Sequence, residues 1–89
     1  MKIILILKSI LKMNIGKPQL EMELVEGSTV MDAVKQLQSE YREETEGFLF
    51  DRKTGDCYLL FVVNRKQVKS DHVLEGDDRL TILPPLAGG

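Results

Sequence analysis

Leu20-Glu21-Met22-Glu23-Leu24-Val25-Glu26-Gly27-Ser28-Thr29-Val30-Met31-Asp32-Ala33-Val34-Lys35-Gln36-Leu37 decides the fold, because its hydrophobic period changes midway. From Leu20 to Leu24 the apolar side chains alternate with carboxylates, the pattern of a strand with one face buried and one in water. Glu26-Gly27-Ser28-Thr29 ends that strand. Thr29 (or Ser28) is placed to accept from the free N–H groups of a first helical turn, and Asp32 sits near the positive end of the helix dipole. Val30, Ala33, Val34 and Leu37 then fall at i, i+3, i+4 and i+7, one apolar stripe that Tyr41 extends. Lys35, Gln36, Gln38, Ser39 and Glu40 face water. The helix is expected to fade in Glu43-Glu44-Thr45-Glu46, where carboxylates oppose the dipole, and to stop by Gly47.

Toward the N-terminus, Lys2 precedes Ile3-Ile4-Leu5-Ile6-Leu7. The run is too short for the apolar core of a signal peptide, roughly 7–15 residues, and no small-residue cleavage site follows. It also falls far short of the roughly 20 residues that span a bilayer. It reads as a buried strand covered on both faces. Ser9 to Gln19 loosens into a turn or loop punctuated by Gly16 and Pro18, with helix over residues 9–15 as the competing reading. The first two strands are expected to form an antiparallel hairpin around Gly16.

Toward the C-terminus, Phe48-Leu49-Phe50 is a short apolar patch and Asp51 to Asp56 a polar turn. Tyr58-Leu59-Leu60-Phe61-Val62-Val63 is apolar throughout and reads as a central strand covered on both faces. Asn64-Arg65-Lys66-Gln67 is a tight polar turn into a short strand around Val68. Leu80-Thr81-Ile82-Leu83 is the last strand, stopped by Pro84-Pro85. One helix cannot cover both faces of a sheet, so it lies on one face of a mixed sheet. The almost wholly apolar first and last strands are the natural central neighbours. The order strand, strand, helix, strand, short strand, strand is that of an α+β, β-grasp (ubiquitin-like) domain of four to five strands, occupying residues 1–89 with 84–89 as an extended tail. Val30, Val34 and Leu37 are expected to pack on Ile4, Ile6, Leu60, Val62 and Ile82. Those runs are apolar on both sides, and a one-residue change of facing would exchange each set for its neighbours.

A chain of 89 residues buries only about 60% of its unfolded surface, so its core is small. Its 43% hydrophobic and 29% charged residues are ordinary globular usage. Twelve basic against fourteen acidic side chains, net −2, give no electrostatic case for nucleic acid or for an anionic membrane surface. The single cysteine, Cys57, excludes an intramolecular disulfide framework, and the single histidine, His72, excludes any scheme needing two imidazoles. A soluble cytoplasmic domain is expected.

Side chains offer no orthodox active site. Cys57 follows a polar turn with nothing nearby to lower its thiol pKa, and reads as structural. His72, beside Asp71, reads as a solvated loop histidine. Asp77-Asp78 lacks the oxygen-ligand spacing of a calcium loop. No metal or bound cofactor is expected. The tail differs. Pro84 and Pro85 fix φ and remove two N–H donors, so the chain must leave the sheet. The six residues Pro84-Pro85-Leu86-Ala87-Gly88-Gly89 can reach about 20 Å, their side chains shrinking from Leu to Ala to Gly. Such a terminus can thread a narrow channel and present its carboxylate inside another protein's active site; without Cβ atoms, Gly88 and Gly89 permit close backbone approach. Mobility is expected from about Leu86 onward.

These residues resemble the β-grasp sulfur carriers: the small subunit of molybdopterin synthase, the thiamin-pathway carrier and the small archaeal ubiquitin-like modifiers. Val25 to Val30 with Asp32-Ala33-Val34 is similar to that family's strand-to-helix entry, Val62-Val63-Asn64 with Val68 to its central strand and turn, and Leu83 to Gly89 to its terminal motif. The Pro-Pro pair favours the molybdopterin and archaeal-modifier branch. Gly76-Asp77 stands one residue further from the last strand than is common, and Glu43 to Asp56 is longer than in a minimal carrier.

The resemblance implies that a ubiquitin-activating-type enzyme uses ATP to adenylate the carboxylate of Gly89. A persulfide donor then displaces AMP to leave a thiocarboxylate. The sulfur would go to a pterin precursor on the larger subunit of molybdopterin synthase. In the modifier alternative, a target lysine captures the activated Gly89 as an isopeptide. A non-covalent ubiquitin-like interaction module would not need Gly89 at all. In each case the protein is not the catalyst. The family grips its partners through an apolar sheet face near the tail, for which Leu83, Leu86 and Phe61 are the candidates here, with Pro84, Pro85 and Ala87 threading the channel.

Overall fold

The computed structural model describes residues 1–83; the expectations for Pro84, Pro85, Leu86, Ala87, Gly88 and Gly89 lie outside the described residues. Strand β1 (Lys2–Leu7) leads into a short helix, α1 (Ser9–Ile15), where a loop was the expected reading. Leu11 is buried and Ile15 packs against the core one turn later, so tertiary contact supports a helix too short to be stable alone. Gly16 closes it at φ +84°, its N–H donating to the Lys12 carbonyl at 2.9 Å. Strand β2 (Gln19–Glu23) then pairs antiparallel with β1, Ile3 opposite Met22 and Leu5 opposite Leu20. The expected antiparallel pairing is present, joined by a helix instead of a turn.

Helix α2 (Val30–Glu40) begins at a reciprocal cap. The Asp32 N–H donates to Thr29 Oγ1 at 3.3 Å, and the Thr29 N–H donates to Asp32 Oδ2 at 2.8 Å. The Thr29 backbone N–H, and after it the Thr29 hydroxyl, hold the Asp32 carboxyl below the ordinary carboxylate range. Tyr41 ends α2, and the four-residue α3 (Arg42–Thr45) follows before Gly47 at φ +80°. Strand β3 (Leu60–Val63) is shorter than expected, for Tyr58 lies outside it and is 59% exposed. β4 (Lys66–Val68) and β5 (Arg79–Leu83) complete a five-stranded sheet of order β2-β1-β5-β3-β4. β1 and β5 are parallel central neighbours, and every other pairing is antiparallel. This is the mixed β-grasp sheet.

The facing of two strands differs from expectation. Val30, Ala33, Val34 and Leu37 share one core with Ile3, Leu5, Leu7, Phe61, Val63, Leu80 and Ile82. Ile82 is inward as expected, but Ile4, Ile6, Leu60 and Val62 point to the face without α2. Among the described residues nothing covers the second face of β1 or β3, and the neighbouring strands alone half-bury Ile4, Ile6 and Val62. An all-apolar run has no parity of its own, so its facing follows from its pairing with strands that do alternate.

Candidate functional site

The described part of the site is the helix-free face of the sheet that leads to the tail. Pairing register sets its rows. Gln19, Ile6, Thr81, Val62 and Gln67 lie side by side across all five strands. Glu21, Ile4 and Arg79 form the row below, and Leu60 faces Leu83 above. The centre is aliphatic: Ile4, Ile6, Val62 and Leu83 are half-buried and Leu60 is 42% exposed. Polar and charged side chains occupy both edge strands. Leu83, the last described residue, sits half-buried on this face.

Phe61 does not. It is 4% exposed, lies opposite Ile82 inside the core, and is therefore corrected from docking candidate to core residue. Its neighbours Leu60 and Val62 take the outer positions, because side chains alternate along a strand. Leu86, Pro84, Pro85, Ala87, Gly88 and Gly89 are outside the described residues. The residues that sequence reasoning missed on this face are Ile4, Ile6, Leu60 and Val62. The legible signal for Ile4 and Ile6 was the alternation of β2: Met22 and Leu20 are apolar opposite Ile3 and Leu5, whereas Glu21 and Gln19 oppose Ile4 and Ile6.

One end of the face is held by a polar lock. Asn64 Nδ2 donates to Asp78 Oδ1 at 2.8 Å, the Glu75 N–H donates to Asp78 Oδ2 at 2.8 Å, and the Arg79 N–H donates to Asn64 Oδ1 at 2.9 Å. A backbone bond from the Asn64 N–H to the Arg79 carbonyl, 3.0 Å, closes the ring. Asp78 is only 8% exposed, and these donors satisfy both of its oxygens. The Asp77-Asp78 pair closes a turn, the Asp78 N–H donating to the Glu75 carbonyl, and the Asp78 side chain also ties β5 to the β3–β4 turn. That turn is Asn64-Arg65, with φ +53° and +101°. Arg65 and Arg79 border a shallow depression of about 510 Å³ with Ile6, Val62, Asn64 and Thr81.

The remaining candidates have structural settings. Cys57 is a free, half-buried thiol packed against the core. His72 contributes its backbone, accepting from the Val30 N–H and donating to the Lys69 carbonyl. Among the described residues, no three His, Cys, Asp or Glu side chains converge as metal ligands, and no helix is long and apolar enough to cross a membrane.

With this geometry in place, comparison with known proteins is informative. The model of the ThiS family matches residues 12–89. No curated protein matches the sequence. Among solved structures, SAMP1 from Haloferax volcanii is similar at 21% identity and a TM-score of 0.87, covering 100% of both chains. A Pyrococcus furiosus protein described as molybdopterin converting factor, subunit 1, is similar at 23% identity and a TM-score of 0.77, covering 96% of this chain and 98% of its own. CysO from Mycobacterium tuberculosis gives 19% identity and a TM-score of 0.69, covering 94% and 99%. At these identities the structures speak for the fold.

Proposed function

Because this chain belongs to the ThiS family of small sulfur-carrier and ubiquitin-like proteins, we propose that it carries sulfur as a thiocarboxylate on Gly89, for molybdopterin synthesis. One observation carries the reading. The motif Pro84-Pro85-Leu86-Ala87-Gly88-Gly89 follows directly on β5, the middle strand of the sheet, whose aliphatic face no described residue covers. The face serves as the grip and the tail as the delivered group. A carboxylate is a resonance-stabilised anion, inert until activated. Its oxygen attacks the α-phosphorus of ATP held by an adenylating enzyme, giving an acyl adenylate and releasing pyrophosphate. A persulfide sulfur on a donor then displaces AMP. A second thiol cleaves the acyl persulfide, leaving the thiocarboxylate and a disulfide. The chain itself supplies no catalytic side chain in this scheme.

The likeness to the Pyrococcus furiosus protein supports the molybdopterin assignment, with that synthase's larger subunit as the sulfur acceptor's host. The Pro-Pro pair, which the modifier reading shares, favours both over the thiamin branch. The second reading is covalent modification of target lysines through Gly89, supported by the likeness to SAMP1 and by the long segment from Glu43 to Asp56.

Intact-mass spectrometry after incubation with a ubiquitin-activating-type enzyme, ATP and a persulfide donor tests both. Exchange of one terminal oxygen for sulfur is the expected result. Adenylation without sulfur, together with isopeptide-linked products, would replace the carrier by the modifier. No adenylation would overturn both.

A further inference from the structure

Resting on the reading that an adenylating enzyme engages this chain, we infer that Arg65 and Arg79 form the charged half of its docking surface. The enzyme meets them with carboxylates set beside an aliphatic patch.

The first observation is backbone strain. Val63 pairs with Lys66, so Asn64 and Arg65 are the two loop residues of a β-hairpin, and both have positive φ. The second loop position of such a turn favours glycine, which has no Cβ to crowd the backbone. Asparagine tolerates the left-handed region; arginine at φ +101° does not gain by it. No ion pair among the described residues explains Arg65 at this position, and residues held in unfavourable backbone regions cluster at functional sites.

The second observation is charge. Arg65 and Arg79 border the same depression, with Ile6, Val62 and Thr81 between and beside them. Neither guanidinium takes part in any ion pair among the described residues. The chain as a whole is net negative, and Arg65 also borders a groove with Glu75 and Asp78, but both oxygens of Asp78 already accept from Asn64 and the Glu75 N–H. The carboxylates on this face, Glu21 and Glu23, lie on edge strand β2, Glu21 two strands from Arg79. Glu21 is itself 3.9 Å from Lys2. One end of an aliphatic face thus presents two unpaired planar donors, which suit carboxylates in bidentate geometry. Arg79 opens the strand whose other end leads into the tail, four residues or about 13 Å away. An enzyme that holds the tail and spans the whole face would reach this end.

The test uses the full chain, the adenylating enzyme that converts wild-type Gly89, and the variants Arg65→Gly, Arg65→Lys and Arg79→Gln. Arg65→Gly is expected to raise the melting temperature, because it relieves the left-handed strain. The same variant is expected to lower kcat/KM for activation about tenfold, through KM, and to flatten its dependence on salt. Arg79→Gln should weaken activation similarly, and Arg65→Lys should recover part of the loss. If wild type is activated and both glycine and glutamine variants match it, the arginine assignment is overturned while the carrier reading stands. If wild type is not activated, both fall together. A wild-type dimer in light scattering that Arg65→Gly dissociates would overturn the assignment differently, by placing a second copy, Glu21 against Arg65, on this face.

Discussion

Replacing Asn64 by alanine removes the centre of the lock between the β3–β4 turn and β5. Its amide donates to the buried Asp78 carboxylate at 2.8 Å and accepts from the Arg79 N–H at 2.9 Å. A hydrogen bond to a charged group contributes about 1.5–3 kcal/mol and a neutral one about 0.5–1.5 kcal/mol. Together they amount to about 2–4.5 kcal/mol. Alanine must also adopt the left-handed φ of +53°, at about 1 kcal/mol more than asparagine. For a domain of this size each kcal/mol moves the melting temperature by about 4–8 °C, so the total of about 3–5.5 kcal/mol corresponds to a drop of about 12–44 °C. Urea denaturation followed by circular dichroism, with the slope compared between variants, gives the free energy directly. Asn64→Gly loses the same hydrogen bonds without the backbone penalty, and should lie about 1 kcal/mol above Asn64→Ala. A loss below about 1 kcal/mol for Asn64→Ala would refute the lock, since Asp78 Oδ1 would then have no need of its partner.

Phe61→Ala should cost about 3–5 kcal/mol, as a core cavity does, whereas Val62→Ala should cost about 1 kcal/mol or less and chiefly weaken activation; equal losses in urea melts would reverse the assigned facing of β3. Thr29→Ala should cost about 1 kcal/mol through loss of the α2 cap. The Asp32 carboxyl is held low by the Thr29 N–H, so its contribution is present above the ordinary carboxylate range and is lost as pH falls through its own lower value. Asp32→Asn should therefore be less stable than wild type at pH 7 and converge with it in acid, and a gap that persists unchanged into strong acid would rule this out. Deleting Gly89 should leave the melting temperature unchanged but abolish thiocarboxylate formation, because the carboxylate would stop about 3.3–3.6 Å short; a truncated chain activated as well as the full one would sink the carrier assignment.

Much of this molecule is legible in its residues one segment at a time. The switch from alternation over Leu20 to Leu24 to a helical stripe from Val30, the Thr29 cap and the Pro-Pro-to-Gly-Gly tail are local patterns. Local patterns need no partner to be read. The central, neighbouring position of the first and last strands was legible as well, because runs so uniformly apolar belong at the centre of a sheet, whereas their parallel direction was not. Three features were decided elsewhere. Helix α1 forms because Leu11 and Ile15 find the core, a contact that a seven-residue window does not contain. Ile4, Ile6, Leu60 and Val62 face outward, and Phe61 inward, because pairing with alternating β2 and with β5 sets a parity that an all-apolar strand lacks. Arg65 and Arg79, fourteen positions apart, share one depression because the Asn64–Asp78 lock brings a hairpin turn against the start of the central strand. Periodicity is a property of neighbours along the chain; facing and juxtaposition are properties of register between strands, and only the closed sheet specifies register.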